Sequence, residues 1–240
     1  MQAAAIDTLP GFRRRFIVTP RPDRVSSEVE DDYHCMGVTI HHDGITARKV
    51  EAHMQRAPWT TCPGAVAKLE QTFTGVALES FAARGEKRAN CTHLHDLAVL
   101  AAAHAFEGDP LVFDILVTDP LDGRRQSQLR RNGTPLLGWT QLDGQLVEPK
   151  ELSGVNFDQM RPWIDSLDPD RQEAARLLRW GSILAHGRTI PWERQSDSSR
   201  LPAGNCYTFQ PERKAEARRI GTIRDFSHGA GPLEEHRPAP

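Results

Sequence analysis

The stretch HCMGVTIHHDGITARKVEAHMQ, residues 34–55, decides how the fold begins. It consists of two extended runs on either side of the dipeptide Asp43-Gly44. Asp-Gly between two such runs is a strong signal for a β-hairpin, because both residues accept the positive φ of a tight turn. We therefore expect strands over His34–His41 and Ile45–Gln55, and an earlier strand over Arg14–Thr19.

Helical patterns follow the hairpin. In CPGAVAKLEQTFTG, residues 62–75, apolar side chains recur at helical spacing and Gly75 supplies a stop. A short helix over Val76–Ala83 is expected next. The segment NCTHLHDLAVLAAAHAF, residues 90–106, then predicts a longer helix with an apolar stripe that ends before Gly108.

The second half of the chain predicts an antiparallel meander followed by two helices. Extended runs alternate there with three turn dipeptides about ten residues apart. The second helix is the clearer one, since Asp168 and Pro169 supply a cap and a first-turn proline, and Gly187 ends it. The predicted class is α+β. The turn dipeptides are Asp122-Gly123, Asn132-Gly133 and Asp143-Gly144.

These patterns divide the chain into four segments. We expect an N-terminal arm over residues 1–13, an α+β half over 14–108, a β-meander with helices over 109–227, and a disordered polar tail over 228–240. The join Gly108-Asp109-Pro110 is too short for a free linker, so the two halves are expected to pack into one continuous structure.

Composition limits the classes of partner. The chain has 240 residues, 38% of them apolar, and a formal charge of −2 from 30 basic and 32 acidic residues. Without a basic surplus we expect neither nucleic acid nor a membrane surface as a partner. The N-terminal arginines follow a short apolar stretch instead of preceding it, so a cytoplasmic protein acting on a small molecule is expected.

Two cysteines stand at the start of predicted helices. Cys62 precedes the first helix and Cys91 the longer one. Helix N-termini favour thiolate over thiol, so both residues are candidate nucleophiles or metal ligands, although a buried apolar role stays open. Cys35 and Cys206 are expected to be small buried apolar residues. His93 lies close to Cys91 in sequence and adds a further candidate ligand.

Longer strings resemble a known family. RAPWTTCPGA, NCTHLHDLA, GNCYTFQPERKAEARR and RDFS look like an uncharacterised bacterial family catalogued as a domain of unknown function, number two-eight-eight-nine. The resemblance extends from about Arg14 to Ser227. This family implies no reaction.

A more distant resemblance connects the first half to the U-type iron–sulfur scaffold proteins and their sulfur-acceptor relatives. In that fold a small antiparallel sheet carries helices, and three cysteines with an aspartate or histidine meet at one edge. Cys62 matches the scaffold's second cysteine and Cys91 its third, whereas Glu30 stands at the position of the first and Asp32 at that of the nearby aspartate. The absence of one thiolate disfavours cluster assembly.

The resemblance implies that Asp32, Cys62 and Cys91, with His34 or His93, bind one zinc or iron ion. We expect an open coordination position and hence a metal-dependent enzyme of small-molecule catabolism, carrying out hydrolysis, hydration or elimination on a carboxylated or aromatic compound. Two alternatives stay open, a non-enzymatic sulfur or cluster carrier and a protein with a purely structural metal.

The remaining functional residues follow from this hypothesis. The predicted acid/base groups are Asp31, His34 and His93. The residues 107–170 carry a net charge of −6 and the residues 176–224 a net charge of +6, which makes arginines in the basic segment candidates for holding an anionic substrate. The predicted substrate-binding residues are Trp59, Arg194 and Arg213.

Overall fold

The computed structural model describes residues 5–192, 195–199 and 201–234, and it has an α+β fold with an antiparallel sheet of eight strands, which confirms the predicted class. No helix in the described ranges combines the length and the apolar character that a bilayer span requires. The strands are β1 (Gly11–Arg21), β2 (Arg24–Asp31), β3 (Cys35–His42), β4 (Ala47–Arg56), β5 (Leu111–Thr118), β6 (Arg124–Arg131), β7 (Thr134–Leu142) and β8 (Gln145–Glu148). The α-helices are α1 (Ala65–Phe73), α2 (Thr92–Ala103), α3 (Arg161–Asp165), α4 (Pro169–Ala185) and α5 (Pro211–Lys214).

The chain divides into two compact units, neither of which is continuous in sequence. Unit 2 comprises residues 16–111 and 191–224, and unit 1 comprises the rest. The predicted boundary after residue 108 lies close to the second crossing between the units, which follows residue 111. The segment 191–224, which the sequence placed with the meander, belongs to unit 2 together with the N-terminal strands and helices.

Unit 2 is built on the strands β2, β3 and β4, which pair in antiparallel order. The predicted hairpin joins β3 to β4 through Asp43 and Gly44. Strand β2 is absent from the sequence prediction, because its buried face includes the polar Ser27 and therefore lacks a clear apolar alternation. The Ser27 hydroxyl donates a hydrogen bond of 2.7 Å to the carbonyl of Leu97 in α2.

The helices of unit 2 bury their apolar stripes as predicted. In α1 the fully buried Phe73 stacks on Phe81 with 4.4 Å between ring centroids. Gly75, whose φ is +83°, lies just after α1 and stops the helix from continuing. The predicted helix over Val76–Ala83 is only a single 3-10 turn at Leu78–Ser80. The chain there turns sharply to bring Phe81 onto Phe73 and cannot extend a helix.

Unit 1 contains the predicted meander β5–β8, paired in antiparallel order. All three turn dipeptides have positive φ at both residues, which is the geometry of tight hairpin turns. The Asp168 side chain caps α4 by accepting a hydrogen bond from the backbone of Arg171. Helix α4 approaches the sheet closely at Gly181, beside Ile115 of β5.

The two ends of the chain differ from the predicted arm and tail. Strand β1 begins at Gly11, inside the expected arm. Within the expected tail, Leu233 is buried and Glu234 forms an ion pair of 3.0 Å with Arg15. Apolar burial and this ion pair hold the segment 228–234 against unit 1. Residues 235–240 lie outside the described residues.

The contact at Gly181 predicts a selective loss of stability. A Cβ atom at this position would lie 2.8 Å from Cγ2 of Ile115. We expect Gly181→Ala to lower the free energy of unfolding by about 1–3 kcal/mol, although alanine favours helix by about 1 kcal/mol. Urea denaturation measures this change. Gly108→Ala, where a Cβ meets nothing within 4 Å, is the control; equal stability of the two variants would contradict the close approach.

Candidate active site

The connection between β2 and β3 is organised by one buried carboxylate. Asp31 has no exposed surface, and its Oδ1 accepts hydrogen bonds of 2.8 Å from the backbone N–H groups of Tyr33 and His34. The same oxygen lies 3.0 Å from Nδ1 of His34. Because a carboxylate only accepts, Nδ1 carries the proton and the lone pair of the ring lies at Nε2. Within the described residues Nε2 of His34 makes no hydrogen bond.

The start of α2 lies next to this histidine. The rings of His34 and His93 have their centroids 4.0 Å apart with an interplanar angle of 32°. Nδ1 of His93 is 4.0 Å from Sγ of Cys91, the N-cap residue of α2. The three predicted acid/base residues therefore lie together beside one of the two predicted metal-ligating cysteines. We call Asp31, His34, Cys91 and His93 the histidine–thiol cluster.

Two further cysteines approach Cys91. The Cys62 Sγ lies 3.3 Å from the Thr208 hydroxyl, and the backbone N–H of Tyr207 donates to the carbonyl of Asn90 at 2.9 Å. These contacts hold the segment around Cys206 beside the starts of both helices. Cys206 is half-buried in this polar neighbourhood and is not the isolated apolar residue that the sequence predicted.

The thiols are held in the neutral form. Burial raises the pKa of Cys91 to about 12, and the neighbouring Cys62 and Cys206 contribute to the same rise. Burial also raises the pKa of Cys62 to about 11 and that of Cys206. The sequence predicted the opposite direction from the helix N-termini. The hydrogen bonds from backbone N–H groups do favour the thiolate of Cys91, but the loss of solvation outweighs them.

The positions aligned with the other scaffold ligands form an ionic network. Glu30, 2% exposed, pairs with Arg56 at 2.8 Å and with Arg224 at 3.4 Å. The backbone carbonyl of Asp32 accepts hydrogen bonds from the Arg56 side chain and the Arg224 backbone. In the described part of the chain, no group of three or more His, Cys, Asp or Glu side chains is arranged to hold a metal ion.

The predicted binding residue Trp59 is buried and packs against an arginine. Its ring centroid lies 4.4 Å from the guanidinium carbon of Arg219, which lies 3.6 Å from the ring centroid of Trp192 on another side. The Trp192 ring meets the edge of Tyr33 at 5.7 Å. A continuous row of packed side chains, which we call the aromatic wall, therefore consists of Trp59, Arg219, Trp192 and Tyr33. At its end, Tyr33 donates its backbone N–H to Asp31 of the histidine–thiol cluster.

Of the two predicted substrate-binding arginines, Arg194 lies outside the described residues. Arg213 lies over the ring of Tyr207 at 3.9 Å and lines an open pocket of about 370 Å³. Lys68 and Gly64 line the same pocket.

Sequence reasoning did not select Tyr33 or Cys206 as site residues, and it named Arg219 and Trp192 only as members of larger groups, the arginines of the basic segment and the tryptophans of the second half. All but Tyr33 belong to the segment 191–224, which returns to unit 2 through backbone hydrogen bonds such as that between Thr60 and Arg218. Backbone pairing leaves little signature in side-chain types. The string GNCYTFQPERKAEARR, residues 204–219, was the signal available, and it contains two of the four residues.

Comparison with known proteins identifies a family but no reaction. Residues 18–107 match the family described as "Protein of unknown function (DUF2889)", which confirms the family resemblance over that segment. The match covers most of the first continuous piece of unit 2 and does not extend to residue 227. No curated protein matches the chain.

The raised thiol pKa values predict slow chemical labelling. At pH 7.5 we expect iodoacetamide to alkylate Cys62 and Cys91 at least about 100-fold more slowly in the folded chain than after denaturation, since only the thiolate reacts. The folded state holds these protons more tightly than the unfolded state, so the free energy of unfolding should fall as the pH rises from about 9 through 11. Mass spectrometry of labelled peptides tests the rates. Rapid native labelling at pH 7.5 would show thiolates instead.

Proposed function

We propose that this chain, as a carrier of a domain of unknown function, is an enzyme that moves protons on a small carboxylated or aromatic compound. The reaction class is hydration, elimination or hydrolysis. The single observation that carries the proposal is the pair Asp31–His34, in which a buried carboxylate fixes an imidazole at 3.0 Å and leaves its Nε2 lone pair unengaged by the described residues.

This arrangement is what general acid–base catalysis requires. The Asp31 carboxylate fixes the tautomer and the orientation of His34 and stabilises the imidazolium that forms when Nε2 takes up a proton. In the forward step Nε2 accepts a proton from the substrate or from an attacking water. In the complementary step it returns that proton to the leaving group or to the product, so that the enzyme ends unchanged.

The surroundings of the pair support a site from which bulk water is excluded. His34 is 5% exposed and stacks on His93. The neutral Cys91 thiol adds no charge to compete for the proton. In such a low-dielectric setting the interaction between carboxylate and imidazolium is stronger than it would be in water.

The raised pKa values of Cys62 and Cys91 disfavour the alternative of a sulfur carrier. Persulfide carriage begins with attack by a thiolate, and burial suppresses the thiolate of both residues. A carrier also needs its reactive sulfur at the surface to meet a partner. Cys91 is buried, which supports a role inside a closed site.

The proposal predicts that His34 is indispensable for turnover. A panel of carboxylated and aromatic compounds is incubated with the protein, and products differing by the addition or loss of water are detected by mass spectrometry. We expect His34→Gln to lower kcat by about 10²- to 10⁴-fold, and Asp31→Asn to lower it less because the imidazole remains.

The matched control is His41→Gln. His41 lies on β3, the strand that begins directly after His34, is half-exposed and pairs with Glu51 at 2.7 Å. Its substitution should leave turnover unchanged. Full activity in a folded His34→Gln protein would refute the assignment, as would equal losses in both histidine variants.

We propose as a second candidate that the enzyme is metal-dependent. The observation in its favour is the distance of 4.0 Å between Sγ of Cys91 and Nδ1 of His93. Two ligands of one zinc ion, with bonds of about 2.3 Å to sulfur and 2.0 Å to nitrogen at a tetrahedral angle, lie roughly 3.6 Å apart. Two donors are therefore nearly in place for zinc or iron, and such an ion would act as a Lewis acid.

Cys62 suits a third position better than Asp32 does. The charge of Cys62 contributes to the raised pKa of Cys91, so the two sulfur atoms are neighbours. Asp32, by contrast, has the Arg56 guanidinium at its backbone carbonyl, and this cation repels a metal ion. Since no three described donors are arranged around one point, binding would require the Cys62 side chain to reorient.

Metal analysis tests this candidate without a substrate. Freshly purified wild-type protein should contain close to one zinc or iron ion per chain, and Cys91→Ser and Cys62→Ser should lose most of it. Cys35→Ser is the control, because Cys35 donates to Gln55 at 3.2 Å, away from the cluster. A content near zero in the wild type, or equal contents in all four proteins, would remove the metal while leaving the Asp31–His34 proposal intact.

A further inference from the structure

Arg219 differs from several other half-buried arginines in its partners. Among residues 5–192, 195–199 and 201–234, no carboxylate forms an ion pair with it. Its guanidinium lies between the rings of Trp59 and Trp192, and its Nε donates to the carbonyl of Gln195 at 3.2 Å. By comparison, each of five partly buried arginines has a carboxylate partner at 3.4 Å or less: Arg15, Arg56, Arg130, Arg188 and Arg224.

The backbone fixes this arginine in place. Arg219 pairs with Trp59 in an isolated antiparallel bridge, and its N–H donates to the carbonyl of Ser196 at 2.8 Å. The N–H of Ile220 donates to the carbonyl of Pro58. Chain segments on both sides thus hold the backbone of Arg219, and this fixes the point from which its side chain extends to the two rings.

A second donor beside Arg219 also has no acceptor. Nε1 of Trp192 is buried and makes no hydrogen bond within the described part of the chain. An indole N–H can only donate, and a guanidinium carries five N–H groups and no acceptor. A buried donor of this kind normally finds an acceptor. Since no described side chain accepts from Nε1 of Trp192 and no described carboxylate pairs with Arg219, the two neighbouring donor groups together favour an anionic acceptor.

We propose that Arg219 and Trp192 form a binding site for the carboxylate of a small molecule. The planar guanidinium offers two parallel N–H groups to the two oxygens of a carboxylate, and the flanking rings of Trp59 and Trp192 provide apolar contact for the body of the ligand. Burial lowers the pKa of Arg219 by penalising its charge, and a bound anion would offset that penalty.

This inference deepens the proposed function by naming the group that the enzyme holds while His34 acts. Tyr33 joins the two places, since its ring packs on Trp192 and its backbone N–H is bound by Asp31. A substrate carboxylate at Arg219 would therefore be anchored next to the segment that carries His34.

Titration calorimetry and tryptophan fluorescence with sodium benzoate test the site at constant ionic strength. We expect saturable binding to the wild type, at least about tenfold weaker binding to Arg219→Lys, and no binding to Arg219→Gln. Trp192→Phe keeps an aromatic ring at this position but removes the N–H group, and should weaken binding a few-fold. The neighbouring Arg218→Ala is the matched control and should bind as the wild type does, since Arg218 is exposed and donates to backbone carbonyls nearby.

The remaining outcomes decide the ligand class and separate the two proposals. If inorganic phosphate binds more tightly than benzoate, the ligand class assigned to the site changes from a carboxylate to a phosphate. Absence of saturable benzoate and phosphate binding to the wild type, or undiminished binding to a folded Arg219→Gln protein, would overturn the site. Benzoate binding that depends on Arg219, without any turnover that depends on His34, would leave the anion site standing and remove the proposed reaction.

Discussion

The carboxylate of Asp31 is the constraint on which the site depends. It closes the connection between β2 and β3 by binding the backbone N–H groups of Tyr33 and His34, and it orients the His34 ring through Nδ1. With no exposed surface, it satisfies three donors that would otherwise be buried without partners. The same interaction therefore fixes both the backbone turn and the orientation of the imidazole, so that one residue serves the fold and the proposed acid–base pair.

The second constraint is the return of residues 191–224 to unit 2. Two backbone contacts define it, the bond from Tyr207 to Asn90 and the bridge between Trp59 and Arg219. The first brings Cys206 to the helix starts, and the second brings a cation to the aromatic wall. Burial then determines the charges. The thiols stay neutral because desolvation exceeds the stabilisation from the helix N-terminus. Burial lowers the pKa of Arg219 as well, but an arginine side chain is not deprotonated in proteins, so Arg219 stays charged.

The features that the sequence predicted correctly depend on local chemistry. Positive φ, which few residue types accept, occurs at Gly44 and at both residues of each turn dipeptide of unit 1, so the hairpins could be recognised from the sequence. Strand β2 was missed because Ser27 occupies a core position that its hydrogen bond to Leu97 makes tolerable. The grouping of segment 191–224 with unit 2 was missed because it rests on contacts between residues far apart in sequence.

In the candidate site, too, the features set by local residue types were predicted, whereas those set by burial or by contacts distant in sequence were missed. Asp31, His34 and His93 were predicted from their residue types and their nearness in sequence to the proposed ligands Asp32 and Cys91. The structure brings all three together beside Cys91. The charge state of the thiols required knowledge of burial, which no spacing in the sequence provides. Cys206 and Arg219 have an ordinary sequence context, and their place beside the site follows only from the path of the backbone.

Because of these charges, a metal ion at the thiols and a carboxylate at Arg219 would each weaken the binding of the other. Arg219 lies close enough to Cys62 to favour its thiolate, so its cation repels a bare metal ion while the thiols are protonated. If a metal ion binds, the thiols lose their protons, and the resulting thiolates become counter-charges for Arg219. Arg219 would then attract an external carboxylate less strongly. Linkage requires the converse as well, so a carboxylate bound at Arg219 would weaken metal binding by the same factor. A centre with neutral thiols and an arginine that pairs with no described carboxylate is therefore in the state suited to an anionic ligand.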